Sequence, residues 1–222
     1  MKRFLGVAAI ALSLAACGDK AEKGAADKAE GGDSVGASSV TAPAEATQGT
    51  WGEILYGDPN APVEIVEYAS LTCSHCAFFT NDILPSIKEK YVDTGKVKIT
   101  YRNFVMNQVD LAASTVARCG DMEMTHKLMS AFFETQGEWA HLQDQRAILD
   151  TLARTARRAG MSRTEFDRCL ANTDMHKHLV EMTQEGSKEF GVDSTPTLFV
   201  NGKKLDNYFG ETVEAAIEAA LK

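Results

Sequence analysis

The stretch "SLTCSHCAFF", residues 70–79, sets Cys73 and Cys76 three positions apart with Ser74 and His75 between them. What flanks the pair decides the fold. Upstream, the turn chemistry of "GDPNAP" (57–62) leads into "VEIVEYAS", whose β-branched and aromatic residues predict a strand from about Val63 to Ala69. Downstream, Phe79, Ile83, Ile87 and Tyr91 recur at helical spacing up to a "DTG" turn, with Pro85 expected to kink that helix. A second strand, "KVKITYRNFV", follows at about 96–105. The opening order is strand, CxxC at a helix start, helix, strand.

From about Asn107 to Gly186 the chain reads as helix throughout, an insertion placed at about 107–187. Leu142, Leu149, Leu152, Ala153 and Ala156 keep one apolar stripe up to Gly160, and "SRTE" (162–165) is a capping box that opens a helix with Phe166, Cys169 and Leu170 on one face. "STPTLFVNGKKL" (194–205) then gives a short strand, an Asn-Gly turn and a second strand, and a last helix runs from about Glu211 to Leu221.

A thiolate, and not a thiol, attacks a disulfide, so a redox cysteine needs a lowered pKa. Cys73 sits where a strand gives way to a helix, facing unpaired backbone N–H groups and the positive end of the helix dipole. Cys76, one turn in, is placed to resolve a mixed disulfide, and a protonated His75 would stabilise the reduced thiolate. The competing reading is a metal site. Structural zinc needs four ligands, usually from a second CxxC or a paired His motif, and none is present. His176 and His178 point different ways on a helix, and His126 and His141 stand alone, so all four are expected to be surface or packing residues and no metal is assigned. Copper binding by an exported CxxC protein is the harder alternative to remove, although the eight methionines are scattered through amphipathic helices as core filler.

In this order of elements the chain resembles the DsbA-like thiol:disulfide oxidoreductases, an α/β family with a thioredoxin-like fold and an inserted all-helical domain. The resemblance covers residues 51–222 and rests on two segments: "TCSHCAFF", similar to the family's active-site segment, and "GVDSTPTLFVNGK", similar to its cis-proline loop. It implies catalytic Cys73 and Cys76 with Ser74 and His75 between them, and substrate binding at Thr195 and Pro196. It also puts Glu67 where the best-known members carry a buried acid near the resolving thiol, the alternative being that Glu67 lies on the exposed face of its strand. Two departures stand out. The strong oxidases have Pro-His between the cysteines and Val before the cis-proline, whereas this chain has Ser74-His75 and Thr195. His75 favours an oxidase, while Thr195 leaves an isomerase or reductase open. Cys119 and Cys169, each on an apolar helix face, are expected to pair as a structural disulfide, two buried free thiols being the alternative.

The N-terminus bears on where this chemistry would occur. Lys2 and Arg3 precede a short apolar run, Phe4 to Ala16, ending in Leu14-Ala15-Ala16-Cys17. This reads as a lipoprotein signal peptide (1–16) with Cys17 as the lipidated residue. Residues 17–50 read as a flexible tether poor in large apolar side chains. A lipid-anchored, periplasm-facing protein of the bacterial cell envelope is expected, in which disulfides persist. A formal net charge of −8 without basic runs argues against nucleic acid as a partner. The expected partners are reduced or unfolded exported proteins and, as the resemblance implies, a quinone-linked membrane reoxidase of the DsbB type. The protein is expected to be a monomer needing no cofactor beyond the Cys73–Cys76 disulfide.

Overall fold

A computed structural model describes residues 49–222. The signal segment, Cys17 and nearly all of the tether lie outside the described residues. Five strands form one mixed sheet in the order β1–β3–β2–β4–β5: β1 (Ile54–Tyr56), β2 (Val63–Ala69), β3 (Val97–Asn103), β4 (Thr197–Val200) and β5 (Lys203–Lys204). The central strand β2 runs parallel to β3 and antiparallel to β4. A parallel neighbour requires a crossover, and the helical run that begins after Cys73 supplies it. One sequence expectation shifts here and one strand was not foreseen. β3 ends at Asn103, short of Val105, and β1 is a three-residue strand too brief for any periodic pattern to mark it.

The crossover is not one kinked α-helix. It is built as α1 (Ser74–Phe78), a π turn (Phe79–Ile83), α2 (Leu84–Ile87) and a second π turn (Lys88–Val92). Pro85 has no N–H to offer the carbonyl four residues back, and it sits in the first turn of α2 directly after the wider turn, where Leu84 N–H bonds Phe79 O instead. The apolar stripe survives the change: Phe79, Leu84, Ile87, Tyr91 and Val92 pack with Val63, Ile65, Ile99 and Leu198 of the sheet. The C-terminal α9 (Gly210–Ala220) adds Val213 and Ile217 to the same cluster.

The insertion comprises α3 (Gln108–Ala117), α4 (Met122–Glu134), α5 (Gln136–Trp139), α6 (Gln145–Arg158), α7 (Arg163–Leu170) and α8 (Thr173–Phe190). Side chains of Asn107, Asp121, Asp144, Ser162 and Asn172 cap α3, α4, α6, α7 and α8, each satisfying a backbone N–H that the helix leaves unpaired. The Ser162–Glu165 capping box is present in both directions. Leu128, Phe132, Trp139, Leu152 and Phe166 form a separate core, each such side chain contributing about 1.5–3 kcal/mol by burial. Leu142 is not part of this stripe. It lies in the turn before the Asp144 cap and is exposed, because the helix starts only after that cap.

Two more expectations move. Cys119 lies just past the end of α3, not on its face, and is bonded to Cys169 of α7. α8 runs through Gly186 and stops at Gly191, whose φ of 61° makes it the left-handed cap. Gly186 is inside the helix for a packing reason: a Cβ there would stand 2.7 Å from Tyr68 Cε1. The end of α8 thus closes on the second face of the sheet, against Tyr68 and Phe199.

Candidate active site

The sheet register brings the two sequence motifs together. Tyr68 of β2 pairs antiparallel with Thr197 of β4, so the segment after β2 and the segment before β4 leave the sheet side by side at one end. The first carries Cys73 and the second carries Thr195 and Pro196, joined by a cis peptide bond. The Cys73 thiol donates to the Thr195 carbonyl at 3.3 Å.

Cys73 is the N-cap of α1, in extended backbone, and its sulfur accepts from Cys76 N–H at 3.4 Å. It is half-buried, whereas Cys76 is fully buried. Both are free thiols. Their acidities are driven apart. The Cys76 thiol, the Thr195 hydroxyl and the N–H groups of Cys76 and His75 together outweigh partial desolvation and bring the Cys73 pKa down from 9.0 to about 5. Burial pushes the Cys76 thiol well above 9.0, and the charges of Cys73 and Glu67 add to the rise. His75 is exposed, with its ring 5.7 Å from that of Tyr208. It is the His75 backbone N–H that reaches Cys73. Ser74, also exposed, opens α1.

Glu67 lies on the same face of β2 as Ile65, turned toward the crossover helices, and is 1% exposed. Burial raises its pKa from 4.5 to about 8, with Lys88 pulling down and Cys73 pushing up. Its Oε1 has no hydrogen-bond partner. Beside it a cavity of about 530 Å³ is walled by Tyr56, Lys88, Tyr101, His126 and Phe133. Lys88 Nζ stands 4.1 Å over the Tyr56 ring, which stacks on His126 at 4.1 Å. A second hollow of about 570 Å³ opens past the cis bond, lined by His75, Thr195, Pro196, Leu205 and Tyr208.

Several residues that shape the site carry no mark in the sequence. Buried Asp110 on α3 accepts Leu71 N–H and Met106 N–H, both at 3.0 Å, and so ties the loop after β2 to the loop after β3. Burial raises its pKa although these bonds oppose the rise. Gln136 on α5 donates to the carbonyls of Leu71 and Cys73 at 2.8 and 2.9 Å. An acid three residues after the Asn107 cap is a faint signal for Asp110. For Gln136 there is none, since its partners lie more than sixty residues away. Among the described residues no three His, Cys, Asp or Glu side chains cluster as metal ligands would.

Comparison with known proteins supports the same grouping. A family model described as thioredoxin matches residues 50–219. A Rickettsia conorii protein named as a protein-disulfide oxidoreductase is 33% identical over 171 residues, spanning 77% of this chain and 61% of that protein. The chain therefore spans about three fifths of the length of such relatives. The crystal structure of Wolbachia pipientis alpha-DsbA1 is 27% identical with a TM-score of 0.71, covering 77% of this chain and 91% of that one. That of a protein-disulfide isomerase from Novosphingobium aromaticivorans is equally similar, at 27% and 0.71, and is covered to 98%. With the cysteine pair at the first helix, the facing cis-proline loop and the helical insertion all in place, the chain belongs to the thioredoxin family, in its DsbA-like group.

Proposed function

We propose that the protein is an exported thiol:disulfide oxidoreductase that introduces disulfides into other exported proteins through Cys73 and Cys76. The asymmetry between the two sulfurs carries this reading. A Cys73 pKa near 5 against a Cys76 pKa well above 9.0 stabilises the reduced pair, so the disulfide is a strong acceptor of two electrons. A substrate thiolate attacks Cys73 Sγ, a mixed disulfide forms, and Cys76 leaves as a thiolate. Glu67, protonated through neutral pH, is the acid suited to return a proton to Cys76. The second substrate thiolate then attacks the substrate sulfur of the mixed disulfide, and Cys73 departs readily because low-pKa thiolates are good leaving groups. The substrate leaves with a disulfide and the enzyme holds two thiols.

Thr195 and Pro196 bind the substrate backbone beside Cys73. Lipidation at Cys17 would hold the domain on its tether at the periplasmic side of a bacterial membrane, as a monomer. Recycling falls to a quinone-linked membrane partner of the DsbB type. The electrons rest on the cysteine pair, with no metal or organic cofactor. Cys76→Ala carrying glutathione in mixed disulfide on Cys73 is expected to exchange it for a single-thiol unfolded substrate, releasing glutathione and accumulating the substrate mixed disulfide, and Cys73→Ala to accumulate none. Trapping through neither cysteine would remove the redox role and favour a binding lipoprotein, with or without copper. Thr195 favours a second reading, an isomerase or reductase held reduced by its membrane partner, and a Novosphingobium relative carries the isomerase name. Alkylation of Cys73 in intact cells separates the two, since an oxidase pair is found disulfide-bonded and an isomerase pair free.

A further inference from the structure

Asp110, Ser114 and Arg118 follow one another at four-residue spacing along α3 and its C-terminal cap, so they share one face of the helix, and that face meets Asn103 at the end of β3. All four side chains are buried. They form one chain of hydrogen bonds. Arg118 Nε donates to Asn103 Oδ1 at 2.6 Å, Asn103 Nδ2 donates to Ser114 Oγ at 2.9 Å, and Ser114 Oγ donates to Asp110 Oδ1 at 3.1 Å. The direction is fixed at both ends, because a guanidinium only donates and a carboxylate only accepts. The cation sits at the C-terminal end of α3 and the anion in its first turn, as the helix dipole favours. Each end holds something further. Arg118 Nη1 donates to the carbonyls of Thr50 and Gly52, both at 2.7 Å, and the Arg118 carbonyl accepts the Thr50 N–H at 2.7 Å. A Cβ on Gly49 would stand 2.5 Å from that carbonyl, so residues 49–52 lie flush against the end of α3. At the other end Asp110 takes the Leu71 and Met106 N–H groups, one on each oxygen. Leu71 leads to Cys73. Met106 Sδ accepts the Thr195 hydroxyl at 3.3 Å, and the Thr195 carbonyl accepts the Cys73 thiol. The two loops that face one another across Cys73 and Thr195 therefore hang from one carboxylate.

We propose that Arg118 is a positioning residue for the active site, acting through Asn103, Ser114 and Asp110, and that residues 49–52, at the root of the tether, complete the device by holding the guanidinium. The inference rests on the reading of Cys73 as the nucleophile and adds to it a contact at the opposite end of α3, roughly 12 Å away along the helix axis. Buried hydrogen bonds that run one way polarise one another, so the loss of one link weakens the next. If residues 49–52 lift away, Arg118 loses two acceptors and turns toward water. Asn103 then loses its donor, and the Ser114 hydroxyl is released from its place between the amide and Asp110. The carboxylate that fixes both loops keeps its two backbone partners but loses the side chain that aims it. The Cys73 bonds to Thr195 O and from Cys76 N–H belong to the dithiol form, so looser loops favour the disulfide.

The test compares G49A, G52A and S114A with the parent in the full chain, reading amide hydrogen exchange residue by residue and the equilibrium of the Cys73–Cys76 pair with glutathione. G49A drives a Cβ into the Arg118 carbonyl, far from either cysteine, and G52A is its matched control, since a Cβ there meets nothing within 4 Å. S114A removes the middle link and leaves both ends in place. G49A and S114A are each expected to speed exchange at the Leu71 and Met106 N–H groups about fivefold to tenfold, while β2 and β3 keep the protection of the parent. Both are expected to shift the glutathione equilibrium about threefold toward the Cys73–Cys76 disulfide, with G52A level with the parent. Faster exchange in G49A confined to Thr50 and Cys119 overturns the proposal. So does acceleration spread evenly over β2 and β3, which is general destabilisation, or an equal response to G52A. Faster loop exchange with an unchanged glutathione equilibrium overturns it as well, because the relay would then order the loops without bearing on the cysteines. Each of these leaves Cys73 as nucleophile standing. A parent pair that does not exchange with glutathione overturns both this inference and the functional reading beneath it.

Discussion

Cys73 and Cys76 sit one helical turn apart, yet their surroundings push their thiols in opposite directions. Cys73 gathers donors at the open end of α1, while Cys76 is sealed beneath it with a carboxyl group nearby. Glu67 is the residue on which pH acts through burial. Its pKa rises from 4.5 to about 8 on folding, so its contribution to stability is complete below pH 4.5 and is lost as pH climbs through 8. Cys73 runs the other way, because a depressed pKa adds stability to the reduced protein as pH rises from 5 toward 9. Comparing parent with E67Q cancels the cysteine contribution. In urea unfolding of the reduced proteins, the variant is expected to gain about 5 kcal/mol on the parent between pH 4.5 and 8 and to stay level outside that window. A difference that is flat with pH would mean Glu67 is ionised in the folded protein.

At the scale of elements, what lies along one stretch of chain was legible and what crosses between stretches was not. The β-branched run of β2, the Ser162–Glu165 capping box and the Asn-Gly turn between β4 and β5 all read directly, because each is a local pattern of side chains on a local backbone. The two π turns did not. Pro85 announces a disturbance, but whether it bends a helix or re-registers its hydrogen bonds depends on which residues the sheet needs to receive. The cysteine pair, Glu67 and Pro196 were legible as a motif and its expected companions. Asp110, Gln136 and Lys88 were not, since each acts on a segment brought close only by the fold. Gly186 shows two effects in competition. Glycine inside a helix costs about 1 kcal/mol against alanine, so Gly186→Ala on an open helix would stabilise. Here the added Cβ meets the Tyr68 ring at 2.7 Å, and the ring is backed by Phe199 and Phe190. Overpacking of about 1–3 kcal/mol outweighs the propensity gain. Gly186→Ala is expected to lower stability by about 1–2 kcal/mol in urea, and a gain would show that α8 rides free of the sheet.

Across the whole molecule, the sheet and the helical insertion meet at the active-site loop, which Asp110 and Gln136 hold from the helical side and β2 from the other. The Cys119–Cys169 bond staples the insertion at a separation of 50 residues, worth up to about 4 kcal/mol in the chain-entropy account. Replacing both with Ala is expected to cost about 2–4 kcal/mol and to leave the Cys73–Cys76 potential within about 10 mV of the parent. A large change in potential would mean that the staple is coupled to the catalytic pair.

The central claim is that this pair is built to accept electrons, and the most direct measurement is its reduction potential, by equilibration in glutathione buffers with quantification of the Cys73 and Cys76 thiols. The stabilised Cys73 thiolate predicts a value near −120 mV, the scale of strong oxidases. A value near or below about −270 mV, the thioredoxin scale, would contradict the oxidase assignment and make Thr195 the better guide to the direction of electron flow.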